Sequence, residues 1–145
     1  MSVTTSGPQA RFMHTMIRVG DLDRSVKFYC DLLGMKELKR VDVPEASYTN
    51  VFVGYGPETS HPVVELTYNY GVETYNRGDG FGHLAVGVND IYAMCEALRA
   101  NGVAIAREPG PLKFGTVHIA FIDDPDGYRI ELIDLNTGNY AKAGS

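Results

Sequence analysis

Thiols are scarce in this chain. Its 145 residues include two cysteines, Cys30 and Cys95, and no C-x-x-C pair. Two thiols make a poor disulfide framework, and structural zinc usually recruits thiolates in clusters that are missing here. Both cysteines fall on segments with helical periodicity and read as buried and unpaired. Positive charge is also short: 13 lysines and arginines against 18 aspartates and glutamates leave a net charge of −5. A phosphate-binding surface needs the opposite balance, which argues against a nucleic-acid partner. No apolar run approaches the roughly 18 residues of a membrane span. The opening MSVTTSGPQA has neither the basic patch nor the apolar core of a secretory signal, so the cytoplasm is the expected compartment. What remains is ordinary. With 44% hydrophobic and 21% charged residues, the chain has the composition of a globular protein, at a length that suits one domain or two small modules sharing a core.

The positive content is a repeat. HTMIRVGDLDRS, from His14, and HLAVGVNDIYAM, from His83, each run from a histidine through alternating residues to an aspartate seven positions on. Asp21 and Asp90 are placed to cap helices by accepting from the first free N–H groups. Leu22, Val26, Tyr29 and Leu33 share one helical face, as do Ile91, Met94, Cys95 and Leu98. Gly34 and Gly102 suit left-handed stops. Strands are expected at 36–42, 48–53 and 63–69, and again at 103–107, 116–122 and 129–135. The turns GYGPETSHP and DDPDG interrupt them. Two βαβββ modules follow, at 12–71 and 82–135, joined by VETYNRGDG and together forming a single domain. Residues 1–11 and 136–145 are expected to be loose tails.

Each module carries a histidine at its first strand and a glutamate at its last. Glu65 lies in VVELTYN, 51 residues after His14, and Glu131 in RIELIDL, 48 after His83. A carboxylate between aliphatic neighbours needs a partner, because an unpaired buried charge is costly. Strand alternation puts Glu65 and Asn69 on one face, and His14, Met16 and Arg18 on one face. Two imidazoles and two carboxylates converging on one cleft would hold a divalent metal. That donor set suits zinc, nickel, cobalt or iron better than magnesium or calcium. Without thiolates, a catalytic site with open positions is favoured over a structural one. His61 and His118 lack this symmetry and read as structural or solvated.

HTMIRVGDLDRSVKFYCDLLGMK, FVGYGPET, VELTYNYGV, GFGHLAVGV and FIDDPDGYRIELI together resemble the glyoxalase I family of lactoylglutathione lyases, in the vicinal oxygen chelate superfamily. The match runs from about Met13 to Asp134. It implies an α+β, glyoxalase/bleomycin-resistance-like fold whose paired βαβββ modules form an open, curved mixed sheet around a metal. It also implies a homodimer with active sites at the interface, each drawing ligands from both chains. The family's four metal ligands fall at His14, Glu65, His83 and Glu131. Histidine at the first position, in a short chain, resembles the bacterial and trypanosomatid type, which implies nickel or cobalt as the working metal and zinc as a poorer one.

The implied reaction isomerises the methylglyoxal–glutathione hemithioacetal to S-lactoylglutathione by proton transfer through an enediolate, with glutathione as co-substrate. Glu131 is implied as the main base, and Glu65 as the base for the other stereoisomer. Arg18 and Asn69 match positions that bind the γ-glutamyl end; on the residues alone, Arg18 also reads as a surface charge at a strand end. Arg107 and Lys113 are the two candidates for the glycyl carboxylate. A further family arginine is replaced here by Asp79, with Arg77 nearby, which leaves trypanothione or another thiol open beside glutathione. Val41, Val43, Phe52, Ile119 and Phe121 match the apolar pocket around the S-substituent, though Phe121 reads equally well as plain core. The alternatives on the same fold are acyl-CoA epimerases, extradiol dioxygenases and non-catalytic small-molecule-binding proteins. The LTYNYG signature and the four intact ligands favour the lyase.

Overall fold

A computed structural model describes residues 7–142, so the ends of both expected tails, 1–6 and 143–145, lie outside the described residues. The chain divides into two compact units, Met1–Glu73 and Thr74–Ser145. No helix among the described residues is long and apolar enough to cross a membrane.

In the first unit, strand β1 (His14–Arg18) buries Ile17, and Val19 just beyond it, while His14, Met16 and Arg18 face outward. Alternation along an extended chain produces this split. Asp21 then accepts from the Arg24 N–H at 3.0 Å and opens helix α1 (Leu22–Lys27). The helix differs from the expected single α-helical run. It passes into a π-turn, Phe28–Leu32, closed by the Leu33 N–H donating to the Phe28 carbonyl at 3.2 Å. The wider turn brings Leu33, five residues after Phe28, back onto the buried side of the helix. Ser25, Phe28, Tyr29 and Leu33 are buried as a result, and Leu22 and Val26 only half so. Gly34 (φ +78°) makes the left-handed exit.

Strands β2 (Lys36–Val43), β3 (Tyr48–Gly54) and β4 (Val63–Asn69) complete a four-stranded sheet in the order β1-β4-β3-β2. The helical crossover makes β1 parallel to β4, and the hairpins make the remaining pairs antiparallel. Val51, Val53 and Leu66 are fully buried beneath the helix.

The second unit repeats the plan. Strand β5 (Leu84–Val88) leads to Asp90, which accepts from the Ala93 N–H at 3.1 Å and caps helix α2 (Ile91–Ala100). A second carboxylate serves this helix: Asp134, almost fully buried, accepts from the Ile91 N–H at 3.2 Å. Gly102 (φ +80°) ends the exit turn. Strands β6 (Ile105–Pro111), β7 (His118–Asp123) and β8 (Arg129–Asp134) give the order β5-β8-β7-β6. Strand β6 starts two residues later than expected and runs on through Pro109 and Pro111. An edge strand tolerates proline, and two register shifts absorb it. Residues 136–137 turn back on the sheet, with the Thr137 hydroxyl accepting from the His118 N–H at 2.9 Å, and Gly138–Lys142 forms a 3-10 turn.

Both cysteines are free, Cys95 buried and Cys30 half-buried. Burial raises both thiol pKa values, reinforced at Cys30 by Glu37 and Asp31 and at Cys95 by Glu108. The thiolate is the reactive form. Both thiols should therefore react with iodoacetamide far more slowly in the native protein than in urea, and equal rates would contradict their burial.

Candidate functional site

The face of the first sheet turned away from helix α1 is built in rows by strand pairing. Met16 stands opposite Glu65, Glu65 opposite Phe52, and Phe52 opposite Lys39, across β1, β4, β3 and β2. Residues directly opposite share a face. His14 lies one pleat from this row and reaches into it: its Nε2 is 3.2 Å from Glu65 Oε1. The Phe52 ring meets the imidazole edge-on, with centroids 5.5 Å apart. Lys39 Nζ sits 4.4 Å from the Phe52 centroid.

The second unit builds the same row. Ala85, Glu131, Phe121 and Arg107 stand opposite one another across β5, β8, β7 and β6. His83, just ahead of β5, places Nε2 3.5 Å from Glu131 Oε1, and its ring centroid is 5.5 Å from that of Phe121. The units therefore agree position for position: imidazole, carboxylate, phenyl ring, then a cation on the edge strand.

The carboxylates are well covered, with side chains 15% exposed at Glu65 and 19% at Glu131. A strong charge-assisted hydrogen bond would bring N and O to about 2.7–2.9 Å. The observed 3.2 and 3.5 Å are longer. They are close to the spacing of two ligands on one ion: donors each about 2.1 Å from a common ion lie about 3.0 Å apart at a right angle and about 3.4 Å at the tetrahedral angle. The pairs fit a divalent cation by both donor chemistry and spacing. Among the described residues, no group of three or more His, Cys, Asp and Glu side chains is arranged to hold a metal ion. Each unit thus supplies two donors, half of the expected set.

The other expected residues fall as follows. Arg18 ends β1 opposite Thr67, and Asn69 ends β4 opposite Tyr48, both on the Glu65 face. Val41 and Val43 extend that face across β2, opposite Asn50 and Tyr48. Phe52 is buried and Val41 exposed. Ile119 is buried on β7, two residues from the half-buried Phe121. Arg107 is engaged in the fold: its guanidinium donates to the carbonyls of Ile119 (2.9 Å), Pro111 (3.0 Å) and Gly110 (3.3 Å), bracing the irregular β6. Lys113 lies between β6 and β7, its Nζ 5.3 Å from the centroid of the exposed Phe114 ring. Arg77 donates to the Asp126 carbonyl at 2.5 Å and stacks 4.9 Å from the Tyr128 centroid, closing the DDPDG turn. His61 is within 2.8 Å of the Ser60 hydroxyl, and His118 is equally close to the Tyr92 hydroxyl.

One functional candidate went unread in the sequence. Glu58 places Oε2 2.6 Å from His14 Nδ1, on the ring edge opposite Glu65. The GPET motif was the available signal, but a loop position has no periodicity to reveal which way its side chain faces.

Residues 11–132 match the model of the Glyoxalase/Bleomycin resistance protein/Dioxygenase superfamily. The chain belongs to that superfamily. Within this glyoxalase superfamily, it is 55% identical over 125 residues to a probable lactoylglutathione lyase of Synechocystis sp., covering 86% of this chain and 95% of the relative. The structure of a trypanothione-dependent glyoxalase I from Leishmania major superposes with a TM-score of 0.79 at 52% identity, covering 87% of each chain. Glyoxalase I from Zea mays superposes with a TM-score of 0.83, also at 52% identity; the match covers 86% of this chain and spans only 44% of the maize protein.

Proposed function

We propose that this chain is a lactoylglutathione lyase that isomerises the methylglyoxal–glutathione hemithioacetal to S-lactoylglutathione. In this reading His14, Glu65, His83 and Glu131 hold one divalent cation, nickel or cobalt in preference to zinc. The working form is a homodimer whose sites take ligands from both chains, and the two free thiols suit a cytoplasmic protein. The duplicated imidazole–carboxylate pair carries the proposal, since the same row stands on equivalent strands of both units. The identity to lactoylglutathione lyases over most of the chain supports the reaction assigned.

The chemical difficulty is a carbon acid. When bound, a divalent cation supplies Lewis-acid stabilisation of the negative charge that builds on vicinal oxygens. The proton itself needs a base within hydrogen-bonding reach of the C–H. Glu131 takes it and returns it to the neighbouring carbon, and Glu65 does so for the other stereoisomer. Each carboxylate stands on a sheet strand and is largely covered, 15% exposed at Glu65 and 19% at Glu131, which favours a high effective concentration. Phe52, Val41 and Val43 in one unit, and Ile119 and Phe121 in the other, wall the S-substituent away from water. Arg18 and Asn69 bind the γ-glutamyl end, where a guanidinium can meet a carboxylate in bidentate fashion. With the Arg107 donors engaged by three carbonyls, Lys113 is the freer cation for the glycyl carboxylate.

Stripping the protein with a chelator should abolish thioester formation from the glutathione adduct, and adding nickel or cobalt should restore it above the level reached with zinc. A metal-loaded dimer that forms no thioester from either the glutathione or the trypanothione adduct would overturn the proposal.

A further inference from the structure

His14 is held on both edges of its ring, and the second hold has a function of its own. We propose that Glu58 is the positioning residue of the first metal ligand: it takes the Nδ1–H of His14, fixes the ring tautomer and turns Nε2 toward Glu65. The inference rests on the proposed metal role of His14.

The geometry comes first. Glu58 Oε2 lies 2.6 Å from His14 Nδ1, and the two side chains are only 24% and 35% exposed. A carboxylate accepts and does not donate, so Nδ1 carries the hydrogen in either charge state of the ring. The neutral ring then has its lone pair on Nε2, the atom that faces Glu65 at 3.2 Å. Metal-binding histidines usually donate their other N–H to such an outer acceptor, which orients the ring and raises its basicity.

The loop is built to hold that carboxylate in place. It folds on Pro57, whose carbonyl accepts from the N–H groups of Ser60 (3.0 Å) and His61 (2.9 Å). Arg11, just upstream of β1, donates to the Glu58 carbonyl at 2.5 Å. The Val63 N–H, at the loop's exit, donates to the Met13 carbonyl at 3.1 Å. The strand that carries His14 and the loop that carries Glu58 are thereby tied together on both sides of the contact. Gly56 admits the His61 ring; a Cβ there would lie 2.4 Å from its Nδ1.

Among the described residues, the second unit has no such device. The corresponding connection between β7 and β8 is the short DDPDG turn, whose Asp124 carboxylate turns inward to accept from the N–H groups of Asp126 and Tyr128, both at 2.9 Å. Among the described residues, the carboxylate at His83 is Glu131, facing Nε2. The repeat therefore diverges at this point: one histidine is pre-set and its counterpart is not. That asymmetry predicts a tautomer difference between His14 and His83 before any metal arrives.

Long-range ¹H–¹⁵N correlation of the imidazole rings in the metal-free, full-length protein, with the rings neutral, tests this directly. The wild type should show His14 as the Nδ1–H tautomer. Glu58→Gln should keep that tautomer, because the amide oxygen still accepts, whereas Glu58→Ala should release it into a mixture. Cobalt affinity, measured by chelator competition, should fall about 10–100-fold in Glu58→Ala and by less in Glu58→Gln. A wild-type His14 in the Nε2–H form would overturn the proposal without any variant. So would an unchanged tautomer in Glu58→Ala, or an unchanged affinity in Glu58→Ala when His14→Ala binds cobalt weakly. If His14→Ala itself binds cobalt as tightly as wild type, the metal assignment fails and the tautomer result still decides the Glu58 contact.

Discussion

Replacing Glu131 by glutamine should lower kcat about 1,000-fold, within the 10²–10⁴-fold that a positioned general base contributes, while KM and the folded state stay near wild type. Glutamine keeps the shape and one oxygen donor of glutamate and loses the capacity to take a proton. The fold is insulated from the change by strand alternation on β8: Ile130 and Leu132 are fully buried, and Glu131 points to the other face beside Phe121 and His83. A fall in kcat without a rise in KM is the signature of an interaction made in the transition state. The same oxygen is also a proposed metal ligand, so metal content must be measured alongside. If excess nickel or cobalt restores the rate, Glu131 acts as a ligand alone. A metal-replete variant that remains slow identifies the base. Near-normal turnover would transfer the proton chemistry elsewhere, with Glu65 the first residue to examine. The Glu65→Gln variant should be impaired chiefly toward one stereoisomer of the hemithioacetal.

Much of this arrangement was legible because it depends on local rules. Alternation in HTMIR and VVELTYN separated the faces that bury Ile17 and Leu66 from those that carry His14 and Glu65. Aspartate caps and glycine exits marked the helix ends for the same reason, since each acts within one turn. What escaped the sequence reading depends on contacts between distant segments. The π-turn at Phe28–Leu32 puts Phe28 and Leu33, five residues apart, on the buried side, a spacing that α-helical periodicity does not anticipate. The shifts in β6 follow from pairing with β7, and they turn Arg107 from an expected anion contact into a brace for backbone carbonyls. Glu58 was hidden similarly. Its loop position says nothing of direction until the ties from Arg11 and Met13 to that loop are known. The Lys39–Phe52 and Arg107–Phe121 rows became comparable only once register was known on both sheets.

If ligands are shared between chains as proposed, a second large effect becomes measurable. Chains carrying His14→Ala and chains carrying Glu131→Gln should each be inactive as homodimers. The heterodimer of the two, isolated through a different tag on each chain, should recover about half of the wild-type rate. In a two-fold dimer with exchanged ligands, each site combines the first unit of one chain with the second unit of its partner. The two lesions then fall together in one site and leave the other with wild-type His14, Glu65, His83 and Glu131. If each site drew all four ligands from a single chain, every site in the heterodimer would carry one lesion and no activity would return. Pairing Glu131→Gln with His83→Ala supplies the control, because both lesions lie in the second unit and every exchanged site keeps one of them. Recovery in the first pair and none in the second requires ligands from both chains. No change in stability or in metal affinity of the separate chains can produce that pattern, because neither variant contributes activity to its own homodimer.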